Sequence, residues 1–396
     1  MEATKEEEDL KYKQAAEAVH GADIFFLVTG AGFSADSGLA VYGDIAKIDA
    51  YKKQNLEYHD ICQPHILGED PEIFYGFWGQ CMNDYRETKP HDGYEILKEW
   101  RDKVNEKPVA IEIQERIQAK YEQENPFEND EVRLNTPYQV DRVAKGFHIF
   151  TSNVDAHSYD MFNPEEIHDC HGNIELWQCS DRDCEKSGIW RAPLNKAPFV
   201  VDPKSMRAPQ KTDNITVEEN LLSEQAEDTN DGVAHVGQTK GSRERTDILK
   251  FMPKTKENFW TQEPGCNWPR CHLCDSWARP AILMFGDFGW KYDQSQEIRY
   301  DTWMDTVLKM CEEKKLKVCI LEIGCGFNVP TCRFVSETMV DEVIPRGSDV
   351  TLIRVNLDDP TAPPYSTAED RIIPIKTGGL NAIRKINEAM LERSER

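Results

Sequence analysis

Asp23-Ile24-Phe25-Phe26-Leu27-Val28 runs without a break into Thr29-Gly30-Ala31-Gly32-Phe33-Ser34-Ala35-Asp36-Ser37-Gly38-Leu39, and this stretch decides the fold. A short, continuous apolar run stopped by turn residues reads as a strand buried on both faces, the habit of parallel sheets. Working outward, runs of the same kind stand at Phe147–Thr151, Ala281–Phe285, Val318–Ile323, Thr351–Val355 and Ile372–Ile375. Lys11–His20 reads as a short helix leading into the first run, and several runs are separated by helical stretches such as Tyr300–Lys314 and Leu380–Leu391. Strands alternating with helices predict an α/β chain with a doubly wound parallel sheet. The glycine loop then reads as a turn opening a helix. Glycines let backbone amides approach a pyrophosphate, and a helix N-terminus adds unpaired N–H groups and a favourable dipole. Ala35 occupies the last position of the dinucleotide fingerprint, so only its looser form is met, and a tight turn without a ligand is the competing reading.

The chain has 396 residues, enough for a large core and a second, smaller module. Its net charge of −24, from 71 acidic against 47 basic residues, repels phosphate backbones and argues against direct nucleic-acid binding. Met1-Glu2-Ala3-Thr4-Lys5-Glu6-Glu7-Glu8-Asp9 has neither the basic nor the apolar region of a leader. The expectation is therefore a cytoplasmic or nuclear protein. There the 12 cysteines are metal ligands or buried hydrophobes sooner than disulfides. No apolar run reaches the roughly 18 residues of a membrane span.

The expected organisation is an acidic N-terminal segment and first helix (1–20), a Rossmann-like dinucleotide-binding domain (21–170 and 281–396) and a metal-binding module (171–280). Between 42 and 120 the pattern is helical and aromatic, with Phe74, Tyr75, Phe77, Trp78 and Tyr85 spaced to bury one face, and is read as a packing elaboration. From Val201 to Lys250 there is no Phe, Tyr or Trp, and acidic and amide residues dominate. Such a stretch cannot bury enough apolar surface to offset its chain entropy, so the module is expected to carry a mobile acidic insertion at about 196–258.

Cys179-x4-Cys184 is answered by Cys271-x2-Cys274, a four-thiolate set that fills every position of a tetrahedral zinc ion. A closed shell leaves no place for substrate water, so the metal reads as structural. The two pairs lie much farther apart than the about 15–20 residues usual in zinc ribbons. The extra loop costs only roughly 1.2 kcal/mol of closure entropy, against a zinc contribution on the order of 10 kcal/mol. Cys266 is a competing ligand. Cys62, Cys81, Cys311, Cys319 and Cys332 have no partner at ligand spacing and read as buried or incidental, while Cys170, beside His171, is a candidate redox-sensitive thiol.

Several loops in order resemble the sirtuin family. Gly30, Ala31, Gly32, Ser34, Ser37 and Gly38 match its GAGxSxxSGI signature, with Leu39 a mild substitution. Ser152-Asn153-Val154-Asp155 resembles its TQNID segment, with Ser152 in place of glutamine, and His171-Gly172 its HG pair. Arg279-Pro280-Ala281-Ile282-Leu283-Met284-Phe285-Gly286-Asp287 is similar to RPxIxxFGE, Ile323-Gly324-Cys325-Gly326-Phe327-Asn328-Val329-Pro330 to GTSLxVxP, and Val355-Asn356-Leu357-Asp358 to INxE. The wording resembles most a bacterial-type branch. The resemblance also favours Cys274 over Cys266 as a ligand.

The resemblance implies an NAD-dependent protein-lysine deacylase acting on acyl-lysine proteins or peptides and releasing nicotinamide and O-acyl-ADP-ribose. It places NAD on Gly30, Ala31, Gly32, Ser34, Ser37, Gly38, Ser152, Asn153, Asp155, Gly324, Cys325, Gly326 and Asn356. Asn153 and Asp155 would face nicotinamide, and His171 would be the general base on a ribose hydroxyl, a task suited to a neutral imidazole. One loop departs from the family: Ala40-Val41-Tyr42-Gly43 replaces P-D-F-R, which removes its Asp and Arg. That departure keeps open two alternatives, protein mono-ADP-ribosyltransfer or NAD hydrolysis, and an inactive NAD-sensing scaffold.

Overall fold

The computed structural model describes residues 5–41, 48–138, 140, 142–193, 198–212, 260–261, 265–361 and 369–394. β1 (Ile24–Thr29) is buried along its whole length. Its side chains alternate between two apolar clusters, Phe25 and Leu27 entering one, Ile24, Phe26 and Val28 the other. That is the period-two pattern of a strand covered on both faces. Helices Lys5–Gly21, Gly93–Asn105 and Gly379–Ser394 contribute to the first cluster, and helices Pro108–Glu124, Gln294–Lys314 and Thr331–Val343 to the second. Trp100 meets Phe25 edge-on from one side and Trp303 packs against Phe26 from the other.

β2 (Phe147–Thr151) and β3 (Ile167–Asp169) extend the sheet on one side of β1. After the short module strands β4 (Leu176–Cys179), β5 (Ile189–Arg191), β6 (Trp260–Thr261), β7 (Arg270–Cys271) and β8 (Ala278–Pro280), the chain returns with β9 (Lys317–Ile323), β10 (Asp349–Val355) and β11 (Ile372–Ile375) on the other side. The order is β11-β10-β9-β1-β2-β3, and every pairing is parallel. This is the doubly wound, Rossmann-like order, with its direction reversing between β1 and β9.

Ala281–Phe285, expected as a strand, joins no sheet among the described residues. Its amides bond to three separated places: Ala281 N donates to Leu176 O, Leu283 N to His171 O and Phe285 N to Cys62 O. The segment is a clamp between layers. One of the sheet's two outer strands is β3, a three-residue piece that its polar surroundings hide in the sequence.

β5, β4 and β8 form a small antiparallel sheet, and β6 pairs with β7. A third apolar cluster joins this module to helix Pro71–Glu87 through Tyr75, Trp78, Trp177, Trp190 and Trp268. The helical stretch 42–120 is thus split by its packing, 49–87 lying against the module and 93–124 against the sheet. Residues 198–212, counted in the sequence with the insertion, are held in place. Asn83 Nδ2 donates to Phe199 O, Ala208 N to Glu72 O, and Arg207 pairs with Asp70 at 2.7 Å. A Cβ on Gly76 would stand 2.0 Å from Met206 O, so the helix needs glycine to admit this segment. The acidic stretch 213–259 lies outside the described residues. No helix among those described is long and apolar enough to cross a membrane.

Candidate functional site

At the carboxyl end of β1 the chain leaves the sheet through Gly30 and turns into the short helix Ala31–Ala35. Gly324, just after β9, packs directly on this turn. A Cβ on Gly30 would lie 2.8 Å from Gly324 O, one on Gly32 2.7 Å from Gly324 Cα, and one on Gly324 2.5 Å from Gly32. The glycines therefore serve the closeness of two backbones at the reversal point. Gly32 N donates to Gly324 O at 3.1 Å, which commits that amide within the protein. Ser37 Oγ accepts from His91 N at 3.1 Å.

The β2 end is tied to the β1 end by side chains. Thr29 Oγ1 donates to Thr151 Oγ1 at 2.8 Å, Ser152 N donates to Thr29 O at 3.1 Å, and Asn153 N donates to Thr151 Oγ1 at 3.0 Å. Asp155 is 5% exposed and doubly held: Ser34 Oγ donates to one carboxylate oxygen, and His157 N donates to the other at 2.7 Å. These bonds join the glycine loop to the β2 loop and fix the direction of the carboxylate.

His171 follows β3 on a turn that only glycine completes. Gly172 has φ +71°, and a Cβ there would sit 2.0 Å from Ala281 O. His171 O in turn accepts from Leu283 N at 2.9 Å. Burial pushes the His171 imidazole below its ordinary value, opposed by the nearby Cys332 thiol and by a hydrogen bond with the Ser152 backbone. A single cavity of about 70 Å³ brings together Ala31, Ser34, Ser152, Asn153, Asp155 and His171. Its apolar wall is Tyr58, Phe77, Trp78, Tyr85, Ile282 and Leu283, and Leu39, Ala40 and Val41 close its rim. Phe77, Trp78 and Tyr85, read in sequence as packing, do both: Phe77 and Trp78 are buried and still face the cavity. Tyr42 and Gly43 lie outside the described residues.

Gly324, Cys325, Gly326 and Asn356 sit farther along the sheet edge. Asn356 Nδ2 donates to Cys325 O at 2.9 Å, and Arg333 ties the same region together by donating to Asp359 O and Thr361 O. Cys325 has its thiol turned inward toward Ile323 O at 3.5 Å, so only its backbone is left for a ligand. Gly326 has open space where a Cβ would be.

The four expected metal ligands converge. The sulfurs of Cys179 and Cys274 are 3.4 Å apart, those of Cys184 and Cys271 3.9 Å, and all four lie within 4.8 Å of one another. Tetrahedral zinc with sulfur at about 2.3 Å sets sulfurs about 3.8 Å apart, so the donors fit a closed four-thiolate site. Amides of Asp181 and Leu273 donate to Cys179 and Cys271 sulfurs, the support a thiolate takes. Cys266 instead donates to Trp268 O at 3.4 Å and stands outside the quartet.

No family model and no curated protein matches this chain. Among solved structures it is similar to one from a study of sirtuin substrate affinity, at 15% identity and TM-score 0.47, covering 95% of this chain and 98% of that one. A Sir2 homologue in complex with NAD aligns at 13% identity and TM-score 0.44, covering 96% and 94%. Sir2Tm bound to a propionylated peptide aligns at 15% identity and TM-score 0.44, covering 96% and 98%.

Proposed function

We propose that the chain is an NAD-dependent protein-lysine deacylase that releases nicotinamide and O-acyl-ADP-ribose. The observation that carries this reading is the single cavity, over the carboxyl ends of β1 and β2, in which Ser34, Ser152, Asn153, Asp155 and His171 meet. The pyrophosphate would lie along Gly30, Ala31, Gly32, Ser34, Ser37 and Gly38, and the adenosine along Gly324, the Cys325 backbone, Gly326 and Asn356. When bound, NAD supplies a ribose carbon from which nicotinamide can be displaced. Asp155, aimed by Ser34 and the His157 amide, would accept from the carboxamide, with Asn153 beside it. His171, held neutral by burial, would take the proton of a ribose hydroxyl. Phe77, Trp78 and Leu283 would keep water away from the reacting carbon. Zinc in the four-cysteine site would hold the module and take no part in the chemistry.

One observation favours a second reading. The described lining of the cavity, including Ala40 and Val41, contains no Lys or Arg. A site lacking that cation orders NAD less tightly and suits transfer of ADP-ribose to a side chain or to water.

Incubating the metal-loaded chain with NAD and an acetyl-lysine peptide, read by mass spectrometry, separates the readings. Deacylation yields a peptide lighter by its acyl group together with O-acyl-ADP-ribose, both lost in His171→Ala. A protein heavier by one ADP-ribose means transfer, free ADP-ribose means hydrolysis, and NAD binding without turnover leaves a sensor. Because the His171 imidazole titrates below its ordinary value of about 6.5, the rate should hold as pH falls to 6.5 and drop only below it. An acid limb centred above 6.5 would remove His171 as the base.

A further inference from the structure

A second cavity, of about 310 Å³, lies behind the His171 loop and plays no part in the proposed chemistry. The two cavities share their wall. Cys170, Gly172 and Ala281 line this one, while His171, Ile282 and Leu283 line the first. Leu283 N joins the two segments by donating to His171 O at 2.9 Å. The volume falls in the range of small-molecule sites, about 300–1,000 Å³.

Part of the lining is apolar. Leu176, Ile189 and Ala281 are buried there, and Trp290 joins them with its indole N–H already donated to Ala281 O at 3.0 Å. Another part is acidic. Asp169 and Asp293 line the cavity and are only 7% and 8% exposed. Asp169 Oδ2 accepts from two neutral donors, Tyr159 OH at 3.0 Å and Asn173 Nδ2 at 2.6 Å, and no Lys or Arg pairs with it among the described residues. Asp293 Oδ1 caps helix Gln294–Lys314 through the amides of Ser295 and Gln296. Its Oδ2 has no hydrogen-bond donor, Arg299 Nη2 standing 3.9 Å away. The lysine of the lining, Lys291, donates to Cys184 O and Ser187 Oγ, both at 3.2 Å. A buried carboxylate without a cation is costly. What this cavity lacks is a positive charge brought from outside.

We propose that this cavity binds a small organic cation, a protonated amine carried on a compact apolar body. The ammonium pairs with Asp169 and Asp293 through charge-assisted hydrogen bonds, supplying the donors those carboxylates lack. The body packs on Leu176 and Ile189. Exposed Tyr292 and Glu297 mark the mouth, and the rings of Trp290 and Tyr292, 5.6 Å apart, attract the incoming charge. An anion is repelled by three carboxylates, and a neutral apolar molecule leaves them unpaired. A bare metal ion does not fit either, because among the described residues only the cysteine quartet converges as metal ligands.

The test is calorimetric titration of the zinc-loaded full chain at about pH 8 with benzylamine, benzyl alcohol and benzoate, which share a ring and differ in charge. There benzylamine is protonated, and the Asp169 carboxyl, which burial pushes up to about 7, is ionised. Benzylamine should bind with a Kd on the order of 1 mM, benzyl alcohol about tenfold more weakly, and benzoate not at all. Benzylamine should also shift the Trp290 indole resonance, assigned by its loss in Trp290→Phe. Asp169→Asn should weaken benzylamine about tenfold and leave benzyl alcohol unchanged. If that variant does not fold, Tyr292→Ala, at an exposed position, carries the test with a loss of about threefold. Benzyl alcohol binding as tightly as benzylamine, an unmoved Trp290 signal, or full affinity in both variants overturns the proposal. None of these readings uses NAD turnover, so a chain that turns over no NAD contradicts the function above while the titration still decides this site.

Discussion

The parallel sheet and the cysteine module are held together by different physics. β1, β9 and β10 are long, apolar and covered on both faces, and their ends are fixed by backbone contact among glycines. The module has strands of two to four residues, and its chain is interrupted by a long acidic stretch. Its apolar cluster is completed by tryptophans and by helical residues between 49 and 87, borrowed from elsewhere in the chain. Strands this short do not stand alone. The sheet is sustained by burial spread over many residues, the module by four sulfurs at one point, and the two should fail separately.

Metal removal should break the comparison open most widely. Structural zinc contributes on the order of 10 kcal/mol to the folding of a small site. Chelation, or Cys271→Ser, should therefore collapse the module, with loss of its tryptophan near-ultraviolet signal, while the far-ultraviolet signal of the helices on the sheet persists. Metal content should fall to nothing in Cys271→Ser and stay unchanged in Cys266→Ser. A single cooperative loss of both signals would mean that the two regions are one unit.

The next effect lies inside the sheet. Arg354 and Glu322 are register partners on β10 and β9, with fully buried side chains joined by bonds of 2.7 and 2.9 Å. Glu337 also accepts from Arg354 at 2.7 Å. Glu322→Ala should cost about 3–5 kcal/mol by leaving a buried guanidinium short of its partner, with Glu337 holding the loss to the lower end. Replacing both Glu322 and Arg354 with leucine should restore most of it, because a buried pair returns little over apolar packing. Chemical denaturation of the three variants measures this. An equal loss in single and double variants would show that shape, not charge, is at stake.

The same contrast explains what could be read in advance. The β1 run and its glycine loop were legible because continuous apolar residues stopped by glycine have few other solutions in a long chain. The four ligands were legible because two close cysteine pairs are rare by chance. β3 was not, since Ile167-His168-Asp169 has no periodicity and lies among polar residues. Ala281–Phe285 has the composition of a strand, but its hydrogen bonds go to Leu176, His171 and Cys62, and no local pattern records such dispersed partners. The apolar wall at Phe77 and Trp78 was hidden because packing and lining use the same residues.

The smallest effect concerns acid and belongs to the β2–β3 side of the sheet. Burial, then the neighbouring His168, hold the His148 imidazole down to about 3, with Ile149 O as a partly opposing acceptor. Burial holds His168 down to about 4. His148 Nε2 has no hydrogen-bond partner, and the ring packs against Trp303 at 4.9 Å, so a charge there would be unsolvated. Both groups are neutral when folded and bind a proton near pH 6.5 when unfolded. The unfolded chain thus takes up more protons between pH 6.5 and 4, and stability falls as pH falls through that window. At about 1.4 kcal/mol per unit of pH, His148 contributes a loss of roughly 3 kcal/mol by pH 4. His148→Phe keeps a ring against Trp303 and removes the titration, so its stability should decline less steeply on acidification than that of the parent chain. Acid also protonates the four thiolates and releases their metal, so the comparison is made on the chelated chain, where only the sheet reports. Equal slopes there would place the acid sensitivity elsewhere in the fold.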